Sequence, residues 1–299
     1  MTTRISTRDQ VLGSLGIGRE DFVVEIGAGH RPFRRANLIV EKYPFDQVER
    51  IEECVSQAPT IIADAIALPL PDKGCDVLFA SHVLEHLPEP ARLLEEARRV
   101  SRHTYLEFPS PARELMYAWS FHKWLIEVEA AHLIFYRNDL PQLFGDFFYR
   151  HHDFLFDAWQ SQRHDQFNSS IYVEPEALSW EFAAQTALEH VLASSPRGAA
   201  KVNVAPVQYA RYTWRQIAAI AVQSLPGKML DLFLQRKARQ NRRPAHTRPL
   251  TPELLDRLVC QRCRSGPLRL ESSQIVCQSC RAAYFQKRGL FDFGVPMDS

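Results

Sequence analysis

Charge of one sign is the first thing this sequence lacks: 36 lysines and arginines face 35 acids, leaving a formal net charge of +1. So close a balance gives the molecule no general pull toward nucleic acid or membrane, and any basic patch has to be local. Long hydrophobic runs are missing too. Nowhere do about 18 apolar residues follow one another without a charge, so no bilayer-spanning helix is expected. At 45% hydrophobic and 24% charged, the 299 residues are ordinary for a globular chain that can bury a core. The opening stretch MTTRISTRDQVLGSLGIG has neither an apolar segment of signal-peptide length nor a small-residue cleavage site, and the expected location is cytoplasmic. Cysteine is sparse. Six are too few to staple a chain of this length, and four of them fall in two Cys-x-x-Cys pairs, which in a reducing compartment favours metal over disulfide. Internal repeats and long low-complexity segments are absent as well.

What is present begins with a short helix over residues 5–15, where Thr7 and Gln10 are spaced as a capping box. Four apolar runs then read as strands: FVVEIG, ANLIVEKY, PTIIADA and CDVLFAS. EPARLLEEARRVS puts Leu93, Leu94, Ala97 and Val100 on one helical face, and HTYLEFP is a fifth strand. Strands alternating with helices imply a mainly parallel sheet that binds ligands at its carboxyl ends. Beyond residue 113, HKWLIEVEAAHLIFYR reads as a hairpin turning near Glu129 to His132, and FNSSIYVEP as a late strand of the same sheet. Residues 186–250 form a looser zone with two helical segments, YTWRQIAAIAVQSL and KMLDLFLQRKARQ, and a basic, proline-containing linker.

The turn in VVEIGAGHRPF places Gly27-Ala28-Gly29 after the first strand, where bare backbone can approach a ligand. A tight strand-to-helix turn would explain that motif alone. The dinucleotide fingerprint needs a third glycine where Pro32 stands, which weakens that reading. The order of further features decides the matter. Glu41 ends the second strand, where an acid can accept both hydroxyls of a ribose. Asp64 ends the third, where it can accept from an adenine amino group with the Ala65 amide facing a ring nitrogen. Ser81 and His82 follow the fourth strand beside the same crevice.

With these residues the chain resembles the class I S-adenosylmethionine-dependent methyltransferases, especially the broad methyltransferase-11-like group, over roughly residues 20–112. The stretches that carry the likeness are VVEIGAG, ADAIALPLPDKGCDVLFASHVLEHL and HTYLEFPSP. The resemblance implies an α/β, Rossmann-like, mainly parallel sheet with flanking helices. It also implies that Glu25, Gly27 and Gly29 hold the methionine part of the cofactor, Glu41 the ribose, and Asp64 with Ala65 the adenine. One departure stands out: only about a dozen residues separate Gly29 from Glu41, so the first crossover helix must be short or absent.

Methyl transfer asks the protein for position, orientation and a dry site, and for a base only where the acceptor must lose a proton. His82, His86, Glu107 and His122 lie near the strand ends, and Glu107 and His122 are the candidate catalytic residues. His82 and His86 also read as residues that shape the loop and cap the following helix. The adjacent His151 and His152 point in different directions on any regular element and make a poor ligand pair.

In the tail, Cys260-x-x-Cys263 and Cys277-x-x-Cys280 form two knuckles that an intervening hairpin can bring to one structural, tetrahedral Zn²⁺. Cys54 and Cys75 read as ordinary core residues. The frame LLDRLVCQRC to GLFDFGVP resembles the small zinc-ribbon activator subunits of methyltransferases over roughly residues 250–297, although Gln261 stands where those relatives often carry proline. In that family the activator pairs with its enzyme's sheet, so intramolecular docking of the zinc ribbon is expected here.

These readings divide the chain into an S-adenosylmethionine-binding methyltransferase domain at 1–185, with a substrate-side insert at about 113–150, a helical segment and basic linker at 186–250, and a zinc ribbon at 251–299. The expected function is methyl transfer to a small-molecule or glycan-type acceptor. An RNA or a translation protein is the alternative acceptor. Arg236 to Arg248 is basic enough to track phosphates, but the Asn/Asp-Pro-Pro-Tyr loop of many nitrogen methyltransferases is replaced by FPSP after Glu107. A non-catalytic cofactor-binding scaffold is the further alternative, and peripheral membrane contact through the basic helical segment is a third use of that zone.

Overall fold

The computed structural model describes residues 7–45, 54, 57–143, 145, 160–194, 214 and 248–294. The apolar runs form β1 (Val23–Ile26), β2 (Leu38–Glu41), β3 (Thr60–Ile62), β4 (Cys75–Ser81) and β5 (Ser101–Pro109). They lie in the order β3-β2-β1-β4-β5, each parallel to its neighbour. Burial on both faces explains why these segments are continuous apolar runs and not alternating ones: every residue of β1, β2 and β3 is buried. The late strand β8 (Asn168–Val173) adds antiparallel to β5 in the same sheet, as expected.

The two faces are covered differently. On one, Val23, Val77, Phe79 and Tyr105 pack under Phe33 and against Leu12, Leu15 and Ile17, in and after helix α1 (Arg8–Gly13). The rings of Phe33, Phe79 and Tyr105 stack with centroids 4.5 and 4.6 Å apart. This stack stands where a crossover helix would pack, for residues 27–37 contain no helix. The Thr7–Gln10 capping box is present at the start of α1. On the other face, Val24, Leu38, Ile61, Leu78 and Leu106 pack against Leu93, Leu94, Ala97 and Val100 of α2 (Pro90–Val100). Proline in the first turn of α2 and arginines in its last turn suit the two ends of its dipole.

The hairpin β6 (Trp124–Glu129) and β7 (His132–Arg137) forms with Ala130 at φ +54° in its turn. It belongs to a second, three-stranded sheet with β9 (Ser179–Phe182), which runs parallel to β7. Buried Ile126, Leu133 and Phe135 join the main core, so the hairpin seals one side of the parallel sheet. β9 is not among the strands expected from the sequence, for its Ser179-Trp180-Glu181-Phe182 alternation is only four residues long and mostly exposed. Arg98 of α2 anchors it, with its guanidinium 4.3 Å from the Trp180 ring centre and hydrogen-bonded to the Pro175 carbonyl.

The tail forms β10 (Leu268–Glu271), β11 (Gln274–Cys277), β12 (Ala283–Lys287) and β13 (Leu290–Asp292), each antiparallel to the next. β13 then pairs in parallel with β3, Phe291 opposite Ile61 and Asp292 opposite Ile62, and the Phe293 amide donates to the Ile62 carbonyl at 2.7 Å. The expected intramolecular docking is therefore made edge to edge, giving one ten-stranded sheet. Leu254, Leu255, Leu258, Leu268, Tyr284 and Phe293 belong to the same apolar core as β1–β5. The tail also grips the loop after β3. The Val259 amide donates to the Pro69 carbonyl at 3.0 Å, Gln261 to Ala67 at 2.5 Å, and the Arg264 guanidinium to Leu68 and Leu70 at 3.0 and 3.3 Å.

Several sequence readings fall outside the described residues: the stretch around His151 and His152, the helical segments after residue 212 apart from Trp214, and Arg236 to Arg243. Among the described residues no helix is long and apolar enough to cross a membrane.

Stopping the chain after Pro249 would strip β3 of its partner and bare apolar side chains beneath it. The truncated protein is expected to lose several degrees of melting temperature or to aggregate, read by thermal melting and gel filtration. A truncated chain that stays monomeric and equally stable would refute the structural role of the tail.

Candidate active site and cysteine cluster

Parallel pairing puts the carboxyl ends of β3, β2, β1 and β4 on one rim. Glu25 in β1 is 1% exposed, and its carboxylate accepts the Phe33 amide at 2.8 Å. Burial pushes the Glu25 carboxyl up to about 8 despite that amide and the Arg8 charge, with the Glu41 charge adding to the rise. Gly27 is needed twice over. Its φ is +65°, and a Cβ there would lie 2.8 Å from Val83 Cγ2. Gly29, at φ +55°, donates its amide to Glu41 Oε1 at 2.7 Å, so the turn and the end of β2 are tied directly. Ala28 between them is buried with Ile39 and Ala58. Asp64 pairs with Lys42 at 2.6 Å and accepts the Ile66 amide at 3.3 Å, while Ala65 is buried in the main core. The structure thus brings Glu25, Gly27, Ala28, Gly29, Glu41, Asp64 and Ala65 onto neighbouring loops of one rim.

Glu107, at the end of β5, is saturated. Its Oε1 accepts from Ser81 at 2.7 Å, and its Oε2 from Tyr105 at 2.6 Å and His164 at 2.7 Å. Burial opposes its charge, but the His164 hydrogen bond, the His82 and His164 charges and the Tyr105 hydroxyl prevail and hold it well below the usual carboxylate range. A group so fully bonded organises its neighbours and is a poor proton acceptor. His122, the other candidate, is 8% exposed and places Nδ1 2.5 Å from Glu114 Oε1.

His82 adopts a left-handed φ of +57°, a strained backbone for a bulky residue, and its amide donates to the Glu107 carbonyl at 2.8 Å. Its Nδ1 lies 3.0 Å from Glu85 Oε1. Burial of Glu85 is complete and disfavours charge, yet the His82 hydrogen bond and the charges of His82, His86 and His122 bring its carboxyl down to about 2. His86 stacks on Phe121 and meets His122 edge-on, centroids 4.8 Å apart. Neither His82 nor His86 caps α2, because Glu89 holds the N-cap position without any side-chain cap bond. That corrects the capping role read from the sequence. Sequence reasoning also missed Glu85, Glu114, Tyr105 and His164. The three-residue spacing of His82 and Glu85 was the signal for the first, and the two-residue spacing of Tyr105 and Glu107 on β5 for Tyr105, whereas Glu114 and His164 meet their partners only through the fold.

The four tail cysteines converge, their sulfurs all within 4.8 Å of one another. Cys260 and Cys280 sulfurs are 3.6 Å apart and those of Cys263 and Cys277 3.7 Å. A tetrahedron of thiolates about 2.3 Å from a central ion has edges near 3.8 Å, and a disulfide would need about 2 Å. The two knuckles repeat one geometry. Arg264 and Arg281, each just after a pair, have φ +55° and +62°, and each donates its amide to the carbonyl of the pair's first cysteine at 2.9 Å. Cys75 is buried as expected, its thiol pushed up to about 12 by burial, and Cys54 is half-buried.

Between pH 4.5 and about 8, Glu25 ionises in the unfolded chain and not in the folded one. Its contribution to stability is therefore full below pH 4.5 and is lost as the pH rises to about 8. In Glu25→Gln the melting temperature is expected to lose that part of its pH dependence. A variant profile parallel to the wild type across the window would contradict the buried, neutral carboxyl.

Residues 27–104 match a family model described as a methyltransferase domain. No curated protein matches the chain. Similar solved structures include a complex between the Haloferax volcanii Trm112 methyltransferase activator and a methyltransferase, at 15% identity and TM-score 0.36 over 56% of this chain and 89% of that one. A SAM-dependent methyltransferase from Aquifex aeolicus is 18% identical with TM-score 0.27, over 34% of this chain and 64% of that one. One from Thermotoga maritima is 19% identical with TM-score 0.29, over 36% and 56%. The chain thus spans less than two thirds of either bacterial relative, and at such scores none of the three bears on what it acts on. The matched residues 27–104 thus form a methyltransferase domain on the rim of a mainly parallel, Rossmann-like sheet.

Proposed function

We propose that the chain transfers a methyl group from S-adenosylmethionine to a small-molecule or glycan-type acceptor, with residues 1–185 catalytic and residues 251–299 acting as a built-in zinc ribbon. The observation that carries this reading is the row of acids at successive strand ends: Glu25 on β1, Glu41 on β2 and Asp64 just past β3, around the Gly27–Gly29 turn. The cofactor supplies an activated methyl on a sulfonium, and the chain supplies place and orientation. Glu41 is placed to accept ribose hydroxyls, Asp64 and the Ala65 amide to take the adenine edge, and Glu25, Gly27, Ala28 and Gly29 to hold the methionine end. Asp64 is only paired with the half-exposed Lys42, a partner that can swing aside.

The acceptor enters beside Ser81 and His82. Glu107 is a positioning residue there, fixing Ser81, Tyr105 and His164. His122, steadied by Glu114, faces the acceptor and handles its proton. Among the described residues that wall is built chiefly of histidines and buried carboxylates, with Arg113 3.4 Å from His82 Nε2, which favours a small acceptor over RNA. A translation protein or RNA is the second reading, supported by the resemblance of the tail's sequence to the free zinc-ribbon activators. The tail cysteines, with edges close to those of a thiolate tetrahedron, would hold one structural Zn²⁺ that stabilises the docked module.

Calorimetry tests the cofactor reading. Asp64→Ala should weaken S-adenosylmethionine binding roughly 3- to 10-fold, the loss of about one hydrogen bond. Wild-type protein that binds no S-adenosylmethionine would sink the reading and leave a scaffold in its place. Zinc content near one per chain is expected by elemental analysis of protein purified without added metal. Transfer of labelled methyl to pooled small acceptors, set against salt-dependent binding to tRNA, separates the two acceptor classes.

A further inference from the structure

A second group of metal-ligating side chains stands apart from the tail. Glu85, His86 and His122 each offer one ligand atom, and these three atoms lie within 4.8 Å of one another. Donors about 2.1 Å from one tetrahedral ion are about 3.4 Å apart, so closure needs movements of about an ångström. The three come from two elements already locked together. Glu85 and His86 lie on the short turn after β4, and His122 stands just before β6. The Lys123 amide donates to the Glu85 carbonyl at 2.7 Å, and the Trp124 indole to the Leu87 carbonyl at 2.8 Å.

Two buried oxygens are unexplained by hydrogen bonding. Glu85 is 0% exposed and Glu114 2%, yet Glu85 Oε2 and Glu114 Oε2 have no hydrogen-bond partner. A buried carboxylate oxygen left in this state is costly unless a cation answers it. Glu114 also performs the duty that supports a metal-bound histidine. Its Oε1 lies 2.5 Å from His122 Nδ1, which fixes the ring and turns Nε2 toward ligation. The donor set, two imidazoles and one carboxylate, suits a divalent transition ion and leaves a coordination position open.

We propose that Glu85, His86 and His122 form a second metal site, separate from the cysteine cluster, which holds a divalent transition-metal ion with an open position for an oxygen of the acceptor. The position is apt because the same turn abuts the cofactor rim, where Val83 lies against Gly27. The proposal rests on the reading that the acceptor enters beside His82, and it recasts the role of His122: the ion, and not a free imidazole, would hold and polarise the acceptor oxygen.

The test is titration of the full chain with Co²⁺ alone, followed by absorption. Cobalt at the cysteines shows thiolate charge-transfer bands, and cobalt at a nitrogen and oxygen site shows only weak ligand-field bands. Two ions per chain are expected, one of each spectral kind. His86→Gln and His122→Gln should lose the weak-band ion and keep the thiolate one, and Glu114→Gln should weaken the former by about 10- to 100-fold. A wild-type chain that takes up cobalt only at the thiolates overturns the proposal whether or not the variants fold. Variants that retain both ions overturn it equally. Calorimetric binding of S-adenosylmethionine, measured on the same wild-type sample, reads the cofactor assignment independently of either outcome.

Discussion

A parallel sheet needs cover on both faces and a partner on each edge, and in this chain the edge at β3 is closed by the tail. β3 is only three residues long and wholly buried, and on its own it would present a row of unpaired amides and carbonyls. β13 takes up that row, and the tail's leucines and aromatics extend the core beneath it. The gain is not confined to the edge. The loop that leaves β3 carries Asp64 and Ala65, and the Val259 amide, Gln261 and Arg264 hold its carbonyls from Ala67 to Leu70. The tail therefore helps set the shape of that side of the rim, where parallel pairing also brings the carboxyl end of β13, at Asp292, beside Ile62.

Across the sheet, at β4 and β5, the organising element is a buried carboxylate. Glu107 collects the hydroxyls of Ser81 and Tyr105 and the His164 ring, and Tyr105 is also the end ring of the stack with Phe79 and Phe33. One anion thus couples the acceptor side to the aromatic layer that replaces the first crossover helix. Glu85 and Glu114 repeat the theme at the neighbouring turn, each set against a histidine. Three buried carboxylates within a few loops are a costly arrangement for folding alone.

Much of this was legible in the sequence, and the reason differs from element to element. FVVEIG, PTIIADA and CDVLFAS read as strands because burial on both faces demands continuous apolar runs. The crossover helix was rightly expected to be short or absent because the distance from Gly29 to Glu41 leaves no room for one. The four tail cysteines were legible because metal geometry dictates spacing. By contrast, the alternation in β9 (Ser179-Trp180-Glu181-Phe182) is only four residues long, and the strand exists because β7 offers an edge and Arg98 reaches Trp180. The pairing of β13 with β3 is made by backbone groups, which leave no trace in side-chain pattern. His164 meets Glu107, and Glu114 meets His122, only once distant segments have folded together. Glu107 could be placed from the sequence at a strand end beside the crevice, whereas its bonds to Ser81 and His164 appear only in the folded chain.

The junction of β3 and β13 also imposes an order in time. A ribosome makes β3 well before β13, so the parallel sheet emerges with one edge open until the tail has been made. Throughout that interval the nascent chain presents an adhesive backbone edge, and nothing upstream of the tail pairs with it among the described strands. A partner strand made as a separate chain could meet that edge as soon as it appeared, whereas a tethered one arrives only after the residues up to β13 have been made. Tethering guarantees one closing strand for every sheet, at the expense of a long vulnerable period on the way to the folded state.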